Sequence, residues 1–116
     1  MKIVIADDSA KVRQIWRAML INLGHEVVGE GADGHEAVRL CASHRPDLAI
    51  LDMSMGDYGG GEAIDEILAA NTSTYVLLCT SRGSVKEFFE SKGVPVLIKP
   101  IMQGNLERKI AEIVKG

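Results

Sequence analysis

Four short apolar runs, each ending in a polar residue, constrain the fold of this chain more than any other feature. The first run leads into Asp7 and Asp8, and the others lead into Asp52, Thr80 and Lys99. Because apolar and polar residues do not alternate within the runs, they predict strands buried on both faces of a parallel sheet. Functional groups gather at the carboxyl ends of such strands. We therefore expect three carboxylates, a hydroxyl and an ammonium to converge at one edge, as a site for a divalent cation and a phosphoryl group.

A weaker and more polar second strand is predicted over residues 26–30, at an edge of the sheet. Segments with helical periodicity follow the five strands, so that strand and helix alternate five times. Ser9 is a good N-cap for the first helix, and Gly24 favours its end. Apolar residues at three- and four-residue steps predict the inner faces of the helices. These are Val12, Ile15, Trp16, Met19, Leu20 and Leu23; Ala37, Leu40 and Cys41; Ala63, Ile64, Ile67 and Leu68; Val85, Phe88 and Phe89; and Leu106, Ile110, Ile113 and Val114. The alternation predicts right-handed βαβ units and a doubly wound parallel α/β sheet, in a single domain over residues 1–116.

The composition excludes several classes of protein. The chain has 116 residues, 47% of them hydrophobic, and a formal charge of -3, which argues against direct binding to nucleic acid. Cys41 and Cys79 lie in apolar stretches without metal-ligand spacing, which predicts two reduced, buried thiols. The three histidines also lack metal-ligand spacing. Since no apolar run approaches the roughly 20 residues of a membrane span and no signal peptide is visible, we expect a cytoplasmic protein without membrane contact.

The set Asp7-Asp8, Asp52, Thr80 and Lys99-Pro100 resembles the receiver domain of two-component response regulators. The resemblance extends from Lys2 to the last helix, and it is closest to the single-domain members of the chemotaxis type. It implies a flavodoxin-like sheet of five strands in the order 2-1-3-4-5, with helices 1 and 5 on one face and helices 2, 3 and 4 on the other. It also implies a signalling switch that is no enzyme beyond its own phosphorylation and dephosphorylation.

The resemblance assigns a role to each residue of the acidic group. Asp52 would accept the phosphoryl group, since a carboxylate is a competent nucleophile towards phosphorus. Asp8 and Asp52 would ligate Mg²⁺, or Mn²⁺, directly, while Asp7 would act through water and Ser54 through its backbone carbonyl. Three carboxylates within about 4 Å repel by several kcal/mol per pair, so one must be protonated or a cation must intervene. Oxygen-only ligands suit Mg²⁺ or Mn²⁺.

The resemblance also assigns roles to the hydroxyl and the ammonium. Lys99 would contact the phosphoryl oxygens, and without a phosphoryl group it would pair with Asp52 or its neighbours. The Thr80 hydroxyl would donate to a phosphoryl oxygen, and its inward movement would bias the face formed by helix 4, strand 5 and helix 5. The Lys99-Pro100 bond is expected to be cis. Arg82, two residues after Thr80, could shield the group.

The chain departs from the pattern of the family at three places. Gly56 stands where the family usually has a proline, and three further glycines at positions 59–61 predict a mobile loop. Val96 stands where many members carry a tyrosine or phenylalanine that acts as a switch. The segment between Thr80 and Lys99 is short, which predicts a truncated fourth helix.

The implied partners are a sensor histidine kinase or phosphotransfer protein and a downstream protein target. A monomer is expected, with dimerisation on phosphorylation left open, as is membership of a longer regulator. One alternative is an adaptor with a receiver fold that does not cycle phosphate. Another is a haloacid-dehalogenase-like phosphatase, but that class carries a second aspartate where this chain has Ser54, and its nucleophile follows the first strand.

Overall fold

The computed structural model describes residues 1–70 and 73–116, and within these residues five parallel strands form one sheet in the order β2-β1-β3-β4-β5. The elements are β1 (Lys2–Ala6), α1 (Ala10–Asn22), β2 (Glu26–Gly31), α2 (Gly34–His44), β3 (Leu48–Asp52), α3 (Gly60–Ala70), β4 (Tyr75–Thr80), α4 (Lys86–Glu90), β5 (Val96–Ile98) and α5 (Gln103–Lys115). The predicted fold class and strand order are confirmed. None of the described helices is long and apolar enough to cross a membrane.

Local sequence signals set the ends of the helices. The Ser9 side chain accepts a hydrogen bond from the Val12 amide and caps α1, as predicted. Gly24 follows the C-cap of α1 with φ +88°, a left-handed conformation that favours glycine. At the start of α2, the Asp33 side chain accepts from the Glu36 amide at 2.8 Å. The first two helices therefore begin where short polar side chains replace the missing backbone acceptors.

The helices cover both faces of the sheet in the predicted division. Buried residues of α1 and α5 pack on one face against Ile3, Ile5, Ile50 and Leu77. Buried residues of α2 and α3 pack on the other face, with Phe89 of α4 beside them. Burial on both faces explains why the central strands are apolar between their ends. The thiols of Cys41 and Cys79 are free and buried, as expected.

Four residues that the periodicity assigns to inner faces are exposed: Ile15, Leu68, Phe88 and Val114. Ile15 precedes Trp16 in α1, and the larger indole occupies the position against the sheet. Leu68 and Val114 lie in the last turns of α3 and α5, where a helix has fewer neighbours. Phe88 is 56% exposed because α4 has only five residues, preceded by a 3₁₀ turn, so that Phe89 alone reaches the core. The truncation of the fourth helix is confirmed.

Candidate functional site

Asp7 directly follows β1, and its side chain and carbonyl accept three hydrogen bonds. Its side chain is almost fully buried, with one carboxylate oxygen accepting from the Ser9 amide at 2.8 Å and the other from Lys99 Nζ at 2.6 Å. The backbone carbonyl of Asp7 accepts from Arg13 Nη1 at 2.6 Å. Both carboxylate oxygens of Asp7 are therefore engaged by the chain itself.

Asp7, Asp8 and Asp52 form one acidic cluster at the carboxyl ends of β1 and β3. One carboxylate oxygen from each residue lies within 4.8 Å of the others, and Asp8 alone is exposed. Burial raises the pKa of the Asp52 carboxyl above its usual range; the Lys99 ammonium opposes this effect, and the charges of Asp7 and Asp8 add to it. Oxygen donors at this spacing fit a hard divalent cation, which relieves the repulsion between the carboxylates.

Lys99 joins two members of the acidic cluster. Its Nζ lies 2.6 Å from Asp7 Oδ2 and 3.2 Å from Asp52 Oδ1, so the predicted pairing with Asp52 or its neighbours is confirmed. Burial acts against the charged ammonium, but the hydrogen bond to Asp7 and the charges of both aspartates outweigh it, and the pKa of Lys99 is raised. The Lys99-Pro100 bond is cis, as expected. A fixed cation therefore lies beside the oxygen of Asp52.

Backbone hydrogen bonds connect the ends of β3, β4 and β5 beside this cluster. The Met53 amide donates to the Cys79 carbonyl at 2.8 Å, and the Lys99 amide donates to the Thr80 carbonyl at 2.7 Å. Thr80 is buried, and its hydroxyl oxygen accepts from the Arg82 amide at 3.0 Å, while the Arg82 side chain is exposed. The hydroxyl of Thr80 is thus coupled to the segment that leads into α4.

The loop after Asp52 is folded closely on itself at its glycines. A Cβ at position 59 would lie within 2.8 Å of the Met55 nitrogen and closer still to the Met53 carbonyl oxygen. Met55 is buried in the core, whereas Ser54 is exposed. Gly56 has φ +64° and open space around it. Close packing therefore accounts for Gly59, while Gly56 permits a left-handed turn.

Two side chains contact residues of the site but were not assigned to it from the sequence. Arg13 bonds the Asp7 carbonyl, and its Nε lies 3.5 Å from Glu30. Trp16, assigned only to the core, lies with its ring centroid 5.4 Å from Lys99 Nζ. Side chains of a helix tilt towards its N-terminus, so residues in the first turns of α1 point back towards the strand end. That direction is the sequence signal for both contacts.

Comparison with known proteins gives consistent matches. A family model described as the response regulator receiver domain matches residues 3–111. The transcriptional regulatory protein PdtaR of Mycobacterium tuberculosis is 35% identical over 90% of this chain, which spans about half (52%) of that relative. The chemotaxis protein CheY of Thermotoga maritima is 26% identical over 98% of both chains. The structure of the response regulator domain of Thermotoga maritima CheB shares the fold, with a TM-score of 0.85, 24% identity, and coverage of 100% of this chain and 97% of that one.

Proposed function

The chain belongs to the response regulator receiver domain family, and from this premise we propose that it is a Mg²⁺-dependent phosphoacceptor switch of a two-component phosphorelay. In this proposal residues 1–116 form one receiver domain, and Asp52 is the phosphoacceptor. The observation that carries the proposal is the position of Lys99, whose ammonium joins Asp52 to a second buried aspartate within a cluster of three carboxylates.

The donor set supports the proposed cation site. Asp8 and Asp52 would ligate Mg²⁺, or Mn²⁺, directly, and the backbone carbonyl of Ser54 would supply a third oxygen. Asp7 would act through water, because both of its carboxylate oxygens already accept hydrogen bonds from the chain. When bound, the cation neutralises charge on the phosphoryl oxygens.

The chain's own groups would carry the transfer as follows. A carboxylate oxygen of Asp52 forms a bond to phosphorus while the bond from phosphorus to the nitrogen of the donor histidine breaks, and the electron pair returns to that nitrogen. The Lys99 ammonium, 3.2 Å from Asp52 Oδ1, is placed to bind an oxygen of the transferred group. The Thr80 hydroxyl accepts from the Arg82 amide and retains its own proton, which it can donate to the same group.

The proposed output is a displacement of the α4, β5 and α5 face. Movement of Thr80 towards a phosphoryl oxygen would alter its hydrogen bond with the Arg82 amide and so shift the segment leading into α4. Val96 is buried and carries no ring, so this path does not depend on an aromatic rotamer at that position. We propose a histidine kinase or phosphotransfer protein as donor and a protein as downstream target, with the chain acting as a cytoplasmic monomer.

The test is the intact mass of the protein after incubation with acetyl phosphate, with and without Mg²⁺. We expect a Mg²⁺-dependent gain of one phosphoryl group in the wild type and no gain in Asp52→Asn. Asp57→Asn, which changes an exposed aspartate of the same loop, serves as the matched control and should behave like the wild type. A folded wild type that binds Mg²⁺ but gains no mass would favour the non-cycling adaptor.

A further inference from the structure

Tyr58 attaches the loop that follows Asp52 to two helices through three different groups. Its carbonyl accepts a hydrogen bond from the Gly34 amide, the first residue of α2, at 2.6 Å. Its ring stacks on the imidazole of His35, with centroids 4.0 Å apart and planes inclined by 14°. Its hydroxyl donates to the carboxylate of Glu66 in α3, and this contact raises the pKa of Tyr58 to about 12. One side chain therefore connects the loop to both α2 and α3.

The backbone of the loop at Tyr58 packs so closely against the start of α2 that a side chain on Gly34 would not fit. A Cβ on Gly34 would lie 2.7 Å from the Tyr58 carbonyl oxygen and 2.8 Å from the Gly59 carbonyl oxygen. The next amide of the loop is fixed as well, because the Gly59 N–H donates to Glu62 Oε2 at 2.9 Å. The backbone at the far end of the loop is thus held by its neighbours on both sides.

Met55 is buried in the core, but the two residues that follow it in the loop lack such restraints. Gly56 has a positive φ and no atom within 4 Å of the position of a Cβ, and Gly56 and Asp57 are exposed. The near end is held by the Met53 amide, which donates to the Cys79 carbonyl. Ser54 therefore lies between the Met53 amide and the buried Met55 side chain, and a glycine of high conformational freedom separates this stretch from the anchor at Tyr58.

We propose that Tyr58 is a positioning residue for the backbone carbonyl of Ser54, and that its contacts with α2 and α3 supply the order that Gly56 does not. This inference rests on the proposed function, in which Ser54 is a cation ligand. Groups that orient the ligands of a metal commonly change its affinity when they are removed, although they do not touch the metal. Loss of the Tyr58 ring should therefore weaken Mg²⁺ binding.

The experiment measures Mg²⁺ affinity by titration calorimetry for the wild type, Tyr58→Ala and Tyr58→Phe, at a temperature at which unfolding curves show each protein to be folded. We expect Tyr58→Ala to bind about tenfold more weakly. Tyr58→Phe keeps the ring and the carbonyl contact, and it should recover most of the loss. Tyr75→Ala removes an exposed tyrosine at the start of β4 and should bind as the wild type does. Equal affinity of Tyr58→Ala and the wild type would overturn the proposal.

Amide hydrogen exchange without metal gives a readout that is independent of cation binding. In Tyr58→Ala the amides of Gly34 and of residues 53–59 should exchange faster, while those of β3 should not change. Unchanged exchange in the loop would contradict the anchoring role directly. A wild type that binds no Mg²⁺ would contradict the proposed function and this role with it. A wild type that binds Mg²⁺ no better than Tyr58→Ala would contradict only the role of Tyr58.

Discussion

The centre of the sheet and its β5 edge are built differently, although both border the acidic cluster. The central strands β1 and β3 each have five residues, and β3 is buried along its whole length. At the edge, β5 has three residues and ends in Ile98, which is 39% exposed, and the neighbouring α4 leaves Phe88 in solvent. The carboxylates of Asp7 and Asp52 come from the centre, whereas Lys99 follows the edge strand.

This difference places the proposed phosphoacceptor in the well-buried centre of the sheet and the proposed output face at its less buried edge. Segments with few buried apolar contacts open at a lower free energy than the core of a domain. We therefore expect a displacement of Thr80 or Lys99 to move the β5 edge more readily than β1 or β3. In the proposed switch, the buried carboxylates would keep their positions while the less buried β5 edge would move.

The largest expected effect on the free energy of unfolding comes from truncating a buried side chain in the centre of the sheet. Leu51→Ala removes a fully buried leucine of β3 and should lower the free energy of unfolding by about 3 kcal/mol. Ile98→Ala, at the edge, should cost about 1 kcal/mol or less because its side chain is partly in solvent. Urea denaturation of both variants measures the difference. Equal losses would show that the edge is packed as firmly as the centre, and the proposed division would be wrong.

The second prediction concerns the ammonium that joins the two regions. Lys99→Met leaves Asp7 buried without its charged donor, which should cost about 2 kcal/mol of unfolding free energy in EDTA. Mg²⁺ should reduce the difference in unfolding free energy between Lys99→Met and the wild type, since a bound cation offsets the repulsion between the carboxylates. The control is Lys109→Met, whose partner Glu112 is largely exposed and whose loss should cost under about 1 kcal/mol. Similar losses in the two variants would contradict a special role for Lys99.

Much of the fold could be predicted because the sequence pattern and the packing depend on the same property. Apolar runs without alternation predicted strands buried on both faces, and β1 and β3 have that environment. The strand order was not contained in the pattern, since periodicity does not state which strands are neighbours. It followed from the resemblance, and the structure confirms it.

The finer geometry of the site was not predictable from spacing. The sequence left open whether Lys99 pairs with Asp52 or a neighbour, and the nearer partner is Asp7, at 2.6 Å against 3.2 Å. That choice depends on how the segment after β5 approaches β1, from which it is separated by β3 and β4. The contacts of Tyr58 were missed for a similar reason. Its partners belong to α2 and α3, and a loop residue shows no periodicity that would indicate them.

The third prediction tests the exposed edge through two adjacent phenylalanines. Phe89 packs against the core, whereas Phe88 contacts Phe89 edge-on and the ammonium of Lys92. Phe89→Ala should therefore cost about 2 kcal/mol, and Phe88→Ala about 0.5 kcal/mol. Thermal unfolding of the pair is a matched comparison, since both changes remove the same group from α4. If Phe88→Ala were the more destabilising, Phe88 would belong to the core as the sequence pattern predicted.

The smallest expected effect on stability concerns the opposite edge of the sheet, where His25 directly precedes β2. Burial lowers the pKa of His25 below its ordinary value of 6.5, and the positive charge of the Met1 amino group, 3.0 Å from Nδ1, lowers it further. Because the folded state resists protonation, the stabilisation is complete above the unfolded pKa and is lost as the pH falls through the folded value. Wild type should therefore lose more unfolding free energy than His25→Gln between about pH 7.5 and pH 5. Urea denaturation at each pH measures the unfolding free energy of the two proteins. If the two pH profiles were parallel, His25 would have the same pKa in the folded and unfolded states, and the prediction would be wrong.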